Sequence, residues 1–215
     1  MIYLYGITEP GAGTPEMSGL DDETVSLLEA GPVAGLVSSH DRAGFDPDPE
    51  ALWCHDRVLE SAMEHGPVLP ARFGSTFADT QELINLLKRE GGRLSRQLER
   101  VRGCVELAVR VSLPVAERPD PKNGQEYLRA RLAEQNESRA AVRLALQPLA
   151  EHAVLSQKNA RSDDGATLTA SYLVPAGEVD HFAAEVRELA REHAELSLSC
   201  TGPWPPYSFV EEETR

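Results

Sequence analysis

Basic residues are scarce in this chain: 21 Lys and Arg stand against 35 Asp and Glu in 215 residues, a net charge of −14. Nucleic-acid binding rests on phosphate neutralisation by clustered cations, so a spread and outnumbered basic set predicts no nucleic-acid partner. An anionic membrane surface is disfavoured for the same reason. Cysteine is scarce too. Cys54, Cys104 and Cys200 are odd in number and widely spaced, which fits buried thiols in a reducing compartment and not a disulfide framework. Long apolar runs are missing, all falling far short of the roughly 20 residues a membrane-spanning helix needs. The start has no basic n-region of a secretory signal, so the expectation is a cytoplasmic protein. The length allows one large or two small domains, with a core that needs no metal or disulfide staple.

Local signatures of catalysis are missing as well. There is no Gly-x-Ser-x-Gly elbow. Cys54 and His55 are adjacent on a predicted helix, where neighbours point about 100° apart and cannot act as a local dyad; a buried thiol beside an exposed imidazole is expected there. None of the six His has a His or Cys partner at i,i+3 or i,i+4. Glu185 and Glu188 lack the Glu-x-x-His pairing of a di-metal carboxylate site. Gly11-Ala12-Gly13 lacks the Gly-Lys-Ser/Thr of a phosphate loop. No catalytic residue, cofactor or metal is therefore assigned.

What is present reads as alternating short strands and substantial helices. Ile2–Ile7 predicts a strand, residues 21–29 a short helix, and Val33–Ser39 a second strand. Asp48 and Pro49 suit an N-cap and first helical position, starting a helix that runs to about His65. Val68–Phe73 predicts a third strand. The Asp79-Thr80-Gln81-Glu82 spacing opens a helix of about 22 residues with Leu83, Leu87, Leu94, Leu98 and Val101 on one stripe, where Gly91-Gly92 predicts a kink or break. Val105–Leu113 predicts a fourth strand. The Pro-rich segment 114–124 predicts a boundary between domains at 1–113 and 124–215. Beyond it come a long helix from about 124 to 149, a hairpin of 154–160 and 167–174 around Asp163-Asp164-Gly165, a helix over 178–193 and a strand over 196–201. The expected class is α+β, with helices covering one face of each antiparallel sheet. In the second domain the order fits a ferredoxin-like layout.

Two segments exceed what generic folding requires. In Pro67-Val68-Leu69-Pro70-Ala71-Arg72-Phe73-Gly74, a proline inside strand-like sequence implies an edge or a strand start. An edge offers unpaired backbone groups to another chain; alternatively Arg72 makes an internal salt bridge and the proline marks a turn. Gly202–Val210 holds three prolines and three aromatics in nine residues. Its prolines exclude helix and central strand over 203–206, Tyr207–Val210 has strand composition, and an acidic run of Glu211, Glu212 and Glu213 follows. Trp204, Tyr207 and Phe209 are expected to clamp this arm onto the fold.

At these residues the chain resembles the gas vesicle accessory proteins of the GvpL/GvpF family. Tyr3–Ile7 is similar to their opening strand and Val68–Phe77 to their central signature, with Ala71 and Ser75 as mild variations. Glu106–Val111, Gly124–Leu128 and Gly202–Val210 are similar to their following strand, the start of their long helix and their terminal signature. The resemblance implies an N-terminal modified ferredoxin-like domain and a C-terminal α+β domain with long helices. It also implies a non-enzymatic role in gas vesicle assembly, through contact with the small hydrophobic shell protein or with other accessory proteins, and hence association with the vesicle. Arg72, Phe73, Trp204, Pro205, Pro206 and Tyr207 are its signature positions, with partner-binding or structural roles. A hub for other accessory proteins, or a small-molecule-binding or enzymatic α+β domain with a pocket of dispersed titratable residues, are the alternative readings.

Overall fold

The computed structural model describes residues 1–42, 44–112, 146–159 and 167–211. By contacts the chain forms two units, one of Met1–Val105 together with the segment from Trp204 onward, the other of Glu106–Pro203. Relative to the expected limits of 1–113 and 124–215, the division falls earlier, and the terminal arm goes with the first unit.

In the first unit, β1 (Ile2–Thr8), β2 (Ser26–Ala30), β3 (Val33–Ser39) and β4 (Leu69–Pro70) form a sheet in the order β2-β3-β1-β4, with β5 (Thr76–Phe77) also paired to β1. All its pairings are antiparallel, and a register shift lies between Leu4 and Gly6. Helix α1 (Pro49–Met63) follows β3, and α2 (Thr80–Val101) follows β5. Both start where local chemistry directs. Asp48 accepts from the Ala51 amide at 2.9 Å with Pro49 in the first turn; Asp79 accepts from the Glu82 amide at 2.8 Å while Glu82 reaches back to the Ala78 amide. These side chains satisfy donors that a helix start leaves open.

The alternation of β1 distributes the helices. Tyr3, Tyr5 and Leu36 pack with Val58, Leu59 and Ala62 of α1, whereas Leu4 and Leu87 of α2 both approach Gly35. The two helices therefore take opposite faces of this sheet, not the single face expected. Residues 21–29 also differ from expectation: a 3-10 turn at Leu20–Asp22 is followed by β2. Leu27 and Leu28 suit either a helix or a strand, and the two-residue turn Gly31-Pro32, with Gly31 at φ +77°, closes a hairpin on Val33. Helix α2 is continuous through Gly91-Gly92. A Cβ on Gly91 would lie 2.7 Å from Pro32, so that glycine marks a close approach of helix and turn, not a break.

In the second unit, β6 (Cys104–Ser112), β7 (Leu155–Asn159), β8 (Thr167–Pro175) and β9 (Ser197–Trp204) form a sheet in the order β7-β8-β6-β9. Strands β7 and β8 pair antiparallel. Helix α3 (Val179–Glu192) sets Phe182, Val186 and Leu189 against Leu107, Val109, Val111, Tyr172 and Val174. Numbered within its own unit, each sheet reads 2-3-1-4, the order of a ferredoxin-like βαββαβ unit. The first unit modifies it by replacing the first helix with the Leu20–Asp22 turn. The expected boundary at 114–124, the turn at 163–165 and nearly all of the expected long helix lie outside the described residues; Pro148 and Leu149, at its expected end, belong to a 3-10 helix, Pro148–His152.

Candidate interaction surface

The central signature segment closes around a buried histidine. His55, at one end of the inner stripe His55, Val58, Leu59 and Ala62 of α1, is 1% exposed. Its Nε2 lies 3.2 Å from the Ala71 carbonyl, which can only accept, so Nε2 carries the proton and Nδ1 is the acceptor. The Tyr3 hydroxyl then donates to Nδ1 at 2.8 Å and itself accepts from the Gly74 amide at 3.1 Å. Phe73 lies with its ring centroid 5.8 Å from that of His55 and 6.1 Å from that of Tyr3. Burial pushes the His55 pKa down and the Tyr3 pKa up, so both stay neutral. The expected pair of buried thiol and exposed imidazole is thus reversed, with Cys54 half-buried and its pKa raised chiefly by burial. Such a thiol stays protonated and is a poor nucleophile.

Beside it runs a second polar chain, in which Ser38, His40 and Arg42 from one stretch of chain meet Asp21. Ser38 Oγ is 2.7 Å from His40 Nε2, His40 Nδ1 is 3.3 Å from Asp21, and Asp21 takes two hydrogen bonds from Arg42. The residue types are those of a hydrolytic triad, and no local motif could have revealed them. Access decides the reading. Ser38 is 1% exposed and its hydroxyl is shared with Tyr5, whose own oxygen accepts from the Leu20 amide. A nucleophile enclosed in this way reaches no substrate, and the chain serves to satisfy buried polar groups. An open pocket of about 350 Å³ lies nearby, lined by Asp21, Asp22, Asp46, Asp48, Glu50, Arg42 and Cys54 among others. Among the described residues no cluster of His, Cys, Asp and Glu could hold a metal.

The terminal arm lies on the same unit. Pro205 and Pro206 are buried and Phe209 is 5% exposed. Tyr207–Phe209 is a 3-10 turn, not the expected strand: the Tyr207 and Phe209 amides bond to the Pro205 and Pro206 carbonyls, which folds the chain locally. The clamp is made by Phe209 and the prolines, since Trp204 and Tyr207 remain 43% and 39% exposed. Tyr207 nevertheless donates its hydroxyl to Asp56 at 2.7 Å, and burial together with that carboxylate pushes its pKa up. Glu211 reaches α2, where Arg93 donates to its carbonyl and Arg100 to its carboxylate.

The structure thus brings Phe73, Pro205, Pro206 and Tyr207 onto the unit that contains α1. Arg72 is exposed, at the bend between β4 and β5. One residue escaped the sequence reading. Trp53, on the outer side of α1, is 71% exposed, with Leu52 beside it at 37%. The stripe that begins at His55 places residue 53 about 160° away from that histidine at 100° per residue, a signal available once His55 is taken as buried.

The family model described as gas vesicle synthesis protein GvpL/GvpF matches residues 1–211. Gas vesicle protein F of a Streptomyces species is 32% identical, over 97% of this chain and 99% of that protein. Gas vesicle protein F1 of Halobacterium salinarum is 26% identical, over 98% and 92%; gas vesicle protein L2 of the same organism is 26% identical, over 97% and 90%. The crystal structure of GvpF from Anabaena superposes with a TM-score of 0.83 at 20% identity, covering 99% of this chain and 96% of that one. That of GvpF from Microcystis aeruginosa gives 0.83 at 21%, covering 98% and 99%. At such identities the structural likeness is one of fold.

Proposed function

Because the chain belongs to the GvpL/GvpF family of gas vesicle synthesis proteins, we propose that it serves gas vesicle assembly by binding the small hydrophobic shell protein and keeping it dispersed. The observation that carries this reading is the family match over residues 1–211, joined by relatives of both the F and the L kind. Physical chemistry supports it. A shell subunit that is apolar toward gas aggregates when uncovered, and a soluble partner of net charge −14 would hold the complex apart from other copies by repulsion. No catalytic role is assigned, and the protein acts at the vesicle.

Co-expression with the cognate shell protein tests the reading, scoring co-purification and the soluble fraction of the shell protein with and without this chain. Soluble, co-purifying shell protein is the expected result. If the folded chain neither binds nor solubilises it, direct contact is wrong, and recruitment of other accessory vesicle proteins becomes the better account.

A further inference from the structure

We infer that the outer face of α1, anchored by Trp53 and edged by Asp56, Glu60 and Glu64, is the docking surface for a basic amphipathic segment of the shell protein. The inference rests on the shell-binding reading and adds to it the surface and the chemistry of the segment it takes.

The anchor comes first. Trp53 is 71% exposed although the opposite stripe of the same helix, from His55 to Ala62, is fully buried. The fold gains little from a tryptophan in that position, whereas buried tryptophans are common energetic centres of interfaces. The helix beneath it is rigid: Asp48 caps its start, Tyr207 holds Asp56 from outside, and His55 is fixed from within. A partner would find the surface already formed.

Charge then selects the occupant. From Asp46 to Glu64 there are six carboxylates (Asp46, Asp48, Glu50, Asp56, Glu60 and Glu64), opposed among Lys and Arg by Arg57 alone. At 100° per residue, Trp53, Asp56, Glu60 and Glu64 fall on one stripe. Glu60 and Glu64 stand at the C-terminal end of the helix, whose last turn contains no basic residue. Carboxylates there oppose the negative end of the helix dipole, so the free protein holds an unfavourable charge arrangement that a cation from outside would relieve. Among the described residues neither Glu60 nor Glu64 forms an ion pair. At 1.5 Å per residue they lie about 10 and 16 Å along the helix from Trp53, so the matching segment carries Lys or Arg roughly two and three turns from an apolar side chain. A second copy of this chain would oppose like charges across the face, and an anionic membrane is repelled by it.

The test co-expresses wild type, Trp53→Ala and the double variant Glu60→Lys/Glu64→Lys with the cognate shell protein, and measures co-purified shell protein at rising salt. Circular dichroism melts check each fold. The expected result is wild-type binding that weakens with salt, and at least a tenfold loss of bound shell protein in each variant while the melts match wild type. Should Trp53→Ala melt early, the charge-reversal variant alone decides. Wild-type binding that neither variant changes overturns this docking surface and leaves the escort reading standing; absence of wild-type binding overturns both.

Discussion

Replacing each of the two adjacent glycines in α2 by alanine separates helix propensity from close packing. Alanine is favoured over glycine in a helix interior by about 1 kcal/mol, because the unfolded glycine has more freedom to lose. At Gly92 the added methyl group would meet nothing nearer than the guanidinium end of Arg96, at 3.8 Å. Gly92→Ala should therefore keep most of the gain, raising stability by about 0.5–1 kcal/mol and the melting midpoint by about 2–4 °C. At Gly91 the same methyl would stand 2.7 Å from Pro32 Cγ and 3.1 Å from its Cδ. Pro32 is a ring in the two-residue turn between β2 and β3 and cannot swing aside as a long side chain would. Overpacking costs about 1–3 kcal/mol, which exceeds the propensity gain, so Gly91→Ala should lose about 1 kcal/mol net. The difference of about 2 kcal/mol between the two variants is the readout, taken from urea unfolding followed by far-ultraviolet circular dichroism with unchanged slope. Equal stabilisation by both would mean that α2 stands clear of the turn, and destabilisation by Gly92→Ala would mean that the helix is not continuous there.

Two further outcomes are expected. Burial holds the His55 pKa below its ordinary value, so the unfolded chain takes up that proton first: stability is complete above about pH 6.5 and falls below it by up to about 1.4 kcal/mol per pH unit, until the folded pKa is reached. His55→Gln should flatten this part of the stability profile, and profiles that stay parallel would remove His55 as the cause. Phe209, 5% exposed at the end of the arm, should cost about 3–4 kcal/mol when cut to alanine; an unchanged melting midpoint would show that the arm detaches without loosening the first unit.

The elements legible in the sequence are those whose determinants are local. Asp48-Pro49 and Asp79 with Glu82 cap their own helices within four residues, and the starts of α1 and α2 are found where these residues stand. Elements decided by distant partners read poorly. Ser26–Ala30 becomes a strand because β3 pairs with it, and Gly91 is explained by Pro32, some sixty residues earlier. His55 illustrates the same limit at the site. Taken alone, an imidazole prefers water to the interior more than a thiol does. It is buried here because Tyr3, 52 residues away, and the Ala71 carbonyl satisfy both ring nitrogens. Trp53 then faces outward as a geometric consequence. For the second domain the element order points to a ferredoxin-like layout, but a central strand of its sheet, β6, is assigned to the first domain by the expected boundary after residue 113; for the first domain the layout comes through family resemblance.

The central and terminal signature segments are more than a hundred residues apart, yet they meet neighbouring residues of one helix. The central segment supplies the Ala71 carbonyl to His55 on the inside of α1, and the arm supplies the Tyr207 hydroxyl to Asp56 on the outside. Each contact fixes a different rotation-sensitive point on α1. A helix free to roll about its axis would carry a residue 5 Å out from that axis through about 2 Å for a 20° turn, given side-chain radii of about 5–6 Å. Pinning it from both sides removes that freedom. The residue next in line is Trp53, one turn before Asp56, and a rigid aromatic presented at a fixed angle binds with less ordering cost than a mobile one. On the docking surface proposed above, the two segments would share a physical purpose: neither need touch a partner for its loss to weaken binding, because each holds α1 in place. A substitution at Tyr207 that removes only the hydroxyl should therefore lower shell-protein binding less than Trp53→Ala does.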